Sequence, residues 1–137
     1  MCWESNKKPE QRTAKKDTIV YKLLLTTFNP NIMISPIAMF EYTFHHKYKN
    51  SPMKVEIEIE KGNTKYKIYE GFHSFSTLKN ARNIYLHAVI HNITYVRAQI
   101  VECIIPKDSH YYRNGDCCVS DSIIINKIVD KPWTNIF

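Results

Sequence analysis

The sequence predicts an α+β fold: a mostly antiparallel, twisted sheet of about five to six strands with one covering helix. Three observations carry this expectation. Segments rich in β-branched and aromatic residues recur along the whole chain. Two of them alternate apolar and charged residues on either side of a short turn. Only one stretch, following Ser76-Thr77, places apolar residues at helical spacing.

The elements follow in chain order. Residues 1–17 are polar, with Lys7, Lys8, Arg12, Lys15 and Lys16 set against Glu4, Glu10 and Asp17, and read as a basic arm ahead of a single domain spanning 18–137. Thr18 to Phe28 is a buried strand by composition, and Asn29-Pro30-Asn31 breaks it. Ile37 to Tyr48 reads as a second strand, with Ala38, Phe40, Tyr42, Phe44, His46 and Tyr48 on one face by period-2 alternation.

The hairpin is the clearest local signal. Val55, Ile57 and Ile59 alternate with Glu56, Glu58 and Glu60. After Lys61-Gly62-Asn63-Thr64, Lys65 and Lys67 return with Tyr66 and Ile68. Opposite charges facing one another across such a pair contribute about 0.2–1 kcal/mol each. The glutamate row therefore reads as a solvated sheet face and not as a metal site.

Ser76 or Thr77 can cap a helix in which Leu78, Ala81 and Tyr85 share a face and which ends before Asn92. Tyr95 to Ile105 is a long strand stopped by Pro106. Lys107 to Val119 reads as a turn-rich loop, Ser122 to Val129 as a last strand, and Pro132-Trp133 to Phe137 as a short tail.

Composition narrows the class. The chain has 137 residues, 44% of them hydrophobic and 23% charged, which favours a packed core over disorder. No apolar run approaches the roughly 18 residues of a membrane span, so the expectation is an intracellular protein without membrane contact. The cysteines are Cys2, Cys103, Cys117 and Cys118; the adjacent pair suits neither a disulfide framework nor a Cys-x-x-Cys metal site and implies free thiols. A net charge of +6 permits contact with an acidic surface.

Several residues could carry chemistry. His73 sits between two aromatics, beside Gly71, where a strand pattern gives way to a helix start. Its imidazole suits proton transfer, against the simpler reading of a ring bonded to backbone at the junction. Cys2 would combine a thiol with a terminal amine if Met1 were removed. His87 and His91 have the spacing of a helical zinc pair but lack a third ligand in the local sequence, and His45-His46 would point to opposite sides of a strand. Cys117-Cys118 with His110 is poor tetrahedral geometry, and three scattered glycines build no phosphate loop. No cofactor or metal is expected. Lys107, Tyr111, Tyr112 and Arg113 combine charge with stacking surface, which serves a protein partner or a nucleic acid equally well. With Phe72, His73 and Phe75 they form the candidate binding surface.

Three segments carry a resemblance. They are Met1-Cys2 with Asp17-Thr18-Ile19-Val20-Tyr21-Lys22, then Glu70-Gly71-Phe72-His73-Ser74-Phe75, then Glu102-Cys103-Ile104-Ile105-Pro106-Lys107-Asp108-Ser109-His110-Tyr111-Tyr112 with Val119-Ser120-Asp121. Together they resemble a group of small uncharacterised proteins of Bacteroides-type bacteria and their phages, including crAss-like phages. Similar proteins usually have glycine where this chain has Asp108. The order Phe72-His73-Ser74, Ala81 and Ile105-Pro106-Lys107 is also similar, more loosely, to ADP-ribosyltransferase-like folds. That likeness implies a catalytic glutamate after the last loop, whereas no glutamate follows Glu102. That group has no named activity; the expectation is a small phage-type accessory or virion-associated binding protein, non-enzymatic, in the bacterial host cytoplasm or the virion. Its partner would be another protein or a second copy of itself. The alternatives are a degenerate ADP-ribosyltransferase-like enzyme and a basic nucleic-acid-binding factor.

Overall fold

The architecture is built around one long strand pair. In a computed structural model, which describes the backbone of residues 3–35, 40–90 and 98–130, β3 (Thr18–Thr26) and β10 (Ala98–Ile105) run antiparallel in unbroken register from Thr18↔Ile105 to Leu25↔Ala98. Strand alternation puts Val20, Lys22 and Leu24 on one face with Gln99, Val101, Cys103 and Ile105, and all seven are buried. The opposite face, with Ala98 and Ile100 buried, lies towards α1 (Leu78–Ile90). Thr77 caps that helix, its Oγ1 accepting from the Asn80 amide at 3.3 Å, as the sequence suggested. Arg82 donates to Asp130 Oδ2 at 2.6 Å and ties α1 to the end of β13 (Ile123–Asp130).

The two edges of β3 are treated differently. One is filled by β10, followed by β13 and the short β6 (Lys47–Tyr48). The other is shared. β9 (Phe72–Phe75) meets β3 only at Tyr21↔Phe75, while β4 (Ile32–Ile34) meets it at Leu25 and Thr26. Beyond β9 the sheet continues through β12 (Cys117–Ser120), β11 (His110–Asn114) and β2 (Arg12–Thr13). β5 (Glu41–Thr43) pairs with β4, and both strands carry side chains onto the Val20–Lys22–Leu24 face. Met33 and Tyr42 pack there with Leu24, Phe72, Ile123 and Ile125 in the main core.

A second, three-stranded sheet has the order β1 (Trp3–Ser5), β8 (Asn63–Ile68), β7 (Val55–Glu60). The predicted hairpin is β7–β8, closed at Glu60↔Asn63. Lys61 (φ 51°) and Gly62 (φ 80°) give the two positive φ values of a type I′ turn. A smaller core of Ile68, Tyr112 and Val119, with Met53, Val55, Tyr66 and Cys117 against it, joins this sheet to β11 and β12.

The structure is thus mostly antiparallel sheet with one helix among the described residues, but several expectations need correction. The described residues form 13 strands, many of two to four residues, and not five to six. Short pairing segments such as Arg12–Thr13 have no periodicity of their own and were invisible to pattern reading. The polar residues before Thr18 are not a free arm: β1 pairs with β8, β2 pairs with β11, and Ala14 is buried. The stretch to Tyr48 is not one strand, because β5 and β6 are separated by a turn with His45 at φ 65°. Lys107 to Val119 is not a loop but the hairpin β11–β12 around Gly115 at φ 58°. Residues 36–39, 91–97 and 131–137 lie outside the described residues, and with them the start of the second predicted strand, Tyr95 and the aromatic tail. Among the described residues no helix is long and apolar enough to cross a membrane.

Candidate functional site

The two segments expected to form one surface do meet, as parts of one sheet. Val119 of β12 lies opposite His73 of β9 on one side and Tyr112 of β11 on the other. Ser120 likewise lies between Phe72 and Tyr111. Neighbouring rows of a sheet face opposite ways, so His73 and Tyr112 share one face while Phe72 and Tyr111 share the other. Tyr112 is buried and its hydroxyl donates to Gln11 Oε1 at 3.1 Å. Phe72 is buried in the main core, with Tyr111 packed against it half-buried. Phe75 is half-buried in the row of Cys117 and Asn114.

The cationic residues lie at opposite ends of β11. Lys107 is exposed, with its amide donating to Asp17 Oδ1 at 2.8 Å, and exposed Arg113 donates from Nε to the Gly115 carbonyl at 2.9 Å. The expected patch is therefore divided by the sheet, its large rings turned mostly inwards. Asp108 has φ 72°, the left-handed conformation that glycine accepts more readily.

His73 is a half-buried ring whose pKa is lowered to about 4, first by burial and then by the Lys22 ammonium. Hydrogen bonding to the backbone of Tyr69 and Glu70 opposes the shift. Such a ring is neutral at pH 7 and held at the junction by its backbone partners, the geometry of a positioned structural histidine. Burial disfavours the thiolate form of the three described cysteines. Burial pushes Cys103 up to about 12 and Cys118 up to about 11, and raises Cys117 too. Adjacent strand positions turn Cys117 and Cys118 to opposite faces. No group of three metal-ligating side chains occurs among the described residues. Cys2, His91 and the side chain of His87 lie outside them.

Sequence reading missed Lys22, whose only signal was a charge between Val20 and Leu24 in an apolar run. Its side chain is buried on the main core face, and Nζ donates to the His73 carbonyl. That carbonyl belongs to the part of β9 beyond its single bridge to β3, so the ammonium supplies a donor where the strands have parted. Nζ also lies 5.6 Å from the centroid of the Tyr42 ring. Burial lowers the Lys22 pKa to about 8, and the nearby Cys103 thiol works against that. Tyr42 sits among Phe40, Tyr48 and Phe72, with ring centroids 4.8, 5.4 and 6.2 Å away, and its hydroxyl is raised by burial first, then by Cys103 and Tyr48. Two further buried polar atoms, Ser74 Oγ and Gln99 Oε1, have no hydrogen-bond partner among the described residues.

The second sheet carries exposed apolar surface. Val55↔Ile68 packs into the smaller core, but the same face continues past it through Ile57↔Tyr66 and Ile59↔Thr64. Ile57 is 61% exposed and Ile59 76% exposed. The other face carries Glu56, Glu58 and Glu60 against Lys67, Lys65 and Asn63, with Lys67 Nζ 3.0 Å from Glu58 and 3.6 Å from Glu4. Among the described residues β7 pairs only with β8, so its outer edge is open.

These features define a mostly antiparallel sheet protein with a half-apolar hairpin. No family model, curated protein or solved structure matches the chain.

Proposed function

We propose that this is a small accessory or virion-associated binding protein of phage type, non-enzymatic, that contacts a protein partner through the β7–β8 hairpin. One observation carries the reading: Ile57 and Ile59 stand exposed, side by side, on a strand whose outer edge is unpaired among the described residues. Exposed β-branched residues beside an open edge are a liability in a protein that binds nothing. The titratable groups support the same reading, because the neutral, backbone-bonded His73 and the buried thiols offer poor nucleophiles and acid–base groups.

The test is affinity capture from the cell that hosts this protein, with the wild-type chain and an Ile57→Thr/Ile59→Thr variant side by side. A protein retained by the wild type and lost with the variant supports the reading. A chain that is strictly monomeric and retains nothing, or retains the same proteins in both forms, counts against it.

A further inference from the structure

We infer that the open edge of β7 accepts an extended segment of a partner in which lysine or arginine alternates with β-branched or aromatic residues. This rests on the hairpin being the binding surface and names what it binds. The backbone argument comes first. The ladder closes at Glu60↔Asn63 around a two-residue turn, so those two residues exchange both hydrogen bonds. Alternation then pairs Glu58 with Lys65 and Glu56 with Lys67 in the same way, leaving the amides and carbonyls of Val55, Ile57 and Ile59 directed at the open edge. A strand laid there gains main-chain hydrogen bonds over the length of β7.

Side chains choose the occupant. On one face the incoming strand meets Glu56, Glu58 and Glu60; on the other it meets Val55, Ile57 and Ile59. Glu58 is already held by Lys67 at 3.0 Å, and Glu56 has, among the described residues, only the exposed Lys54 at 3.8 Å. A segment with cations on the first face and apolar residues on the second satisfies both rows. The chain contains its own template for this, because Thr64-Lys65-Tyr66-Lys67-Ile68 has that alternation and already occupies the inner edge of β7.

The same logic disfavours a second copy. Two β7 strands paired edge to edge, in any register that keeps their isoleucines together, set glutamates against glutamates. The glutamate row thus guards the edge against self-pairing while leaving it open to a basic strand.

The test is fluorescence anisotropy of a labelled synthetic peptide alternating lysine with threonine and isoleucine, titrated with the full chain. Saturable binding is expected, weakening as salt rises. The same peptide with glutamate for every lysine should not bind. Glu56→Lys/Glu60→Lys should weaken binding by about tenfold or more. Ile57→Pro should abolish it, because proline is accepted on an edge strand where its nitrogen faces outwards but blocks pairing there. If Ile57→Pro fails to fold, the charge-reversal pair decides alone. Absence of binding, equal binding of the glutamate peptide, or concentration-dependent dimerisation lost with Ile57→Pro would overturn the inference. The hairpin as a binding surface would still be decided separately by the capture experiment with Ile57→Thr/Ile59→Thr.

Discussion

The Lys22 ammonium donates to the backbone carbonyl of His73, bridging the gap where β9 leaves β3. One buried cation thereby holds the junction that the sequence marks with Gly71 and His73. The arrangement is costly in itself, since no carboxylate partners Lys22 among the described residues and burial lowers its pKa from 10.5 to about 8.

Lys22 predicts a rise in stability at alkaline pH. The unfolded chain binds this proton more tightly than the folded one, so the penalty is full below pH 8 and is relieved as pH climbs through the window to 10.5. A shift of that size corresponds to about 3 kcal/mol. Urea unfolding of the wild type and Lys22→Met at neutral pH and near pH 10 should show the wild type gaining relative to the variant. A constant difference across that range would show that Lys22 is not desolvated.

His73 predicts loss of stability in mild acid. Its folded pKa is about 4 against the ordinary 6.5, so stability contributed by the neutral ring is present above pH 6.5 and is lost as pH falls towards 4. His73→Gln, which cannot take up the proton, should flatten this part of the pH profile. The ring's titration by NMR checks the value directly.

Gly71 predicts a contrast with Gly62. Gly71 has φ 94°, and an added Cβ would lie 2.7 Å from Val119 Cγ1 and 2.9 Å from Met53 Cγ. Gly71→Ala should cost about 2–4 kcal/mol from left-handed backbone and overpacking together. Gly62→Ala, at φ 80° with nothing within 4 Å of the added Cβ, should cost about 1–2 kcal/mol from conformation alone. Denaturation midpoints of the two variants check the order.

The cysteines predict selective protection. Cys103 and Cys118, with thiols pushed to about 12 and about 11, should resist maleimide in the folded protein at neutral pH and react once urea unfolds it. Peptide mapping by mass spectrometry reads each site separately.

The exposed isoleucines predict separation of binding from stability. Ile57→Thr/Ile59→Thr removes side chains that are mostly in water, so its unfolding free energy should stay within about 1 kcal/mol of the wild type. Loss of partner capture without loss of stability would distinguish a contact surface from a cover for the core.

Strands with strong periodicity were legible in the chain itself. Thr18–Thr26, the Val55–Ile68 hairpin, the Thr77-capped helix and Ile123–Asp130 all carry a local hydrophobic pattern, and a local pattern survives without knowledge of neighbours. What only the tertiary structure decided is which face each residue meets. Tyr111 and Tyr112 are adjacent in sequence and looked like one patch, yet pairing of β11 with β12 sends them to opposite sides. Arg12–Thr13 became a strand only because β11 offers an open edge, and Lys22 became a clamp only because β9 and β4 divide the edge of β3 between them. Long-range pairing creates those environments, and no residue carries them in its own neighbourhood.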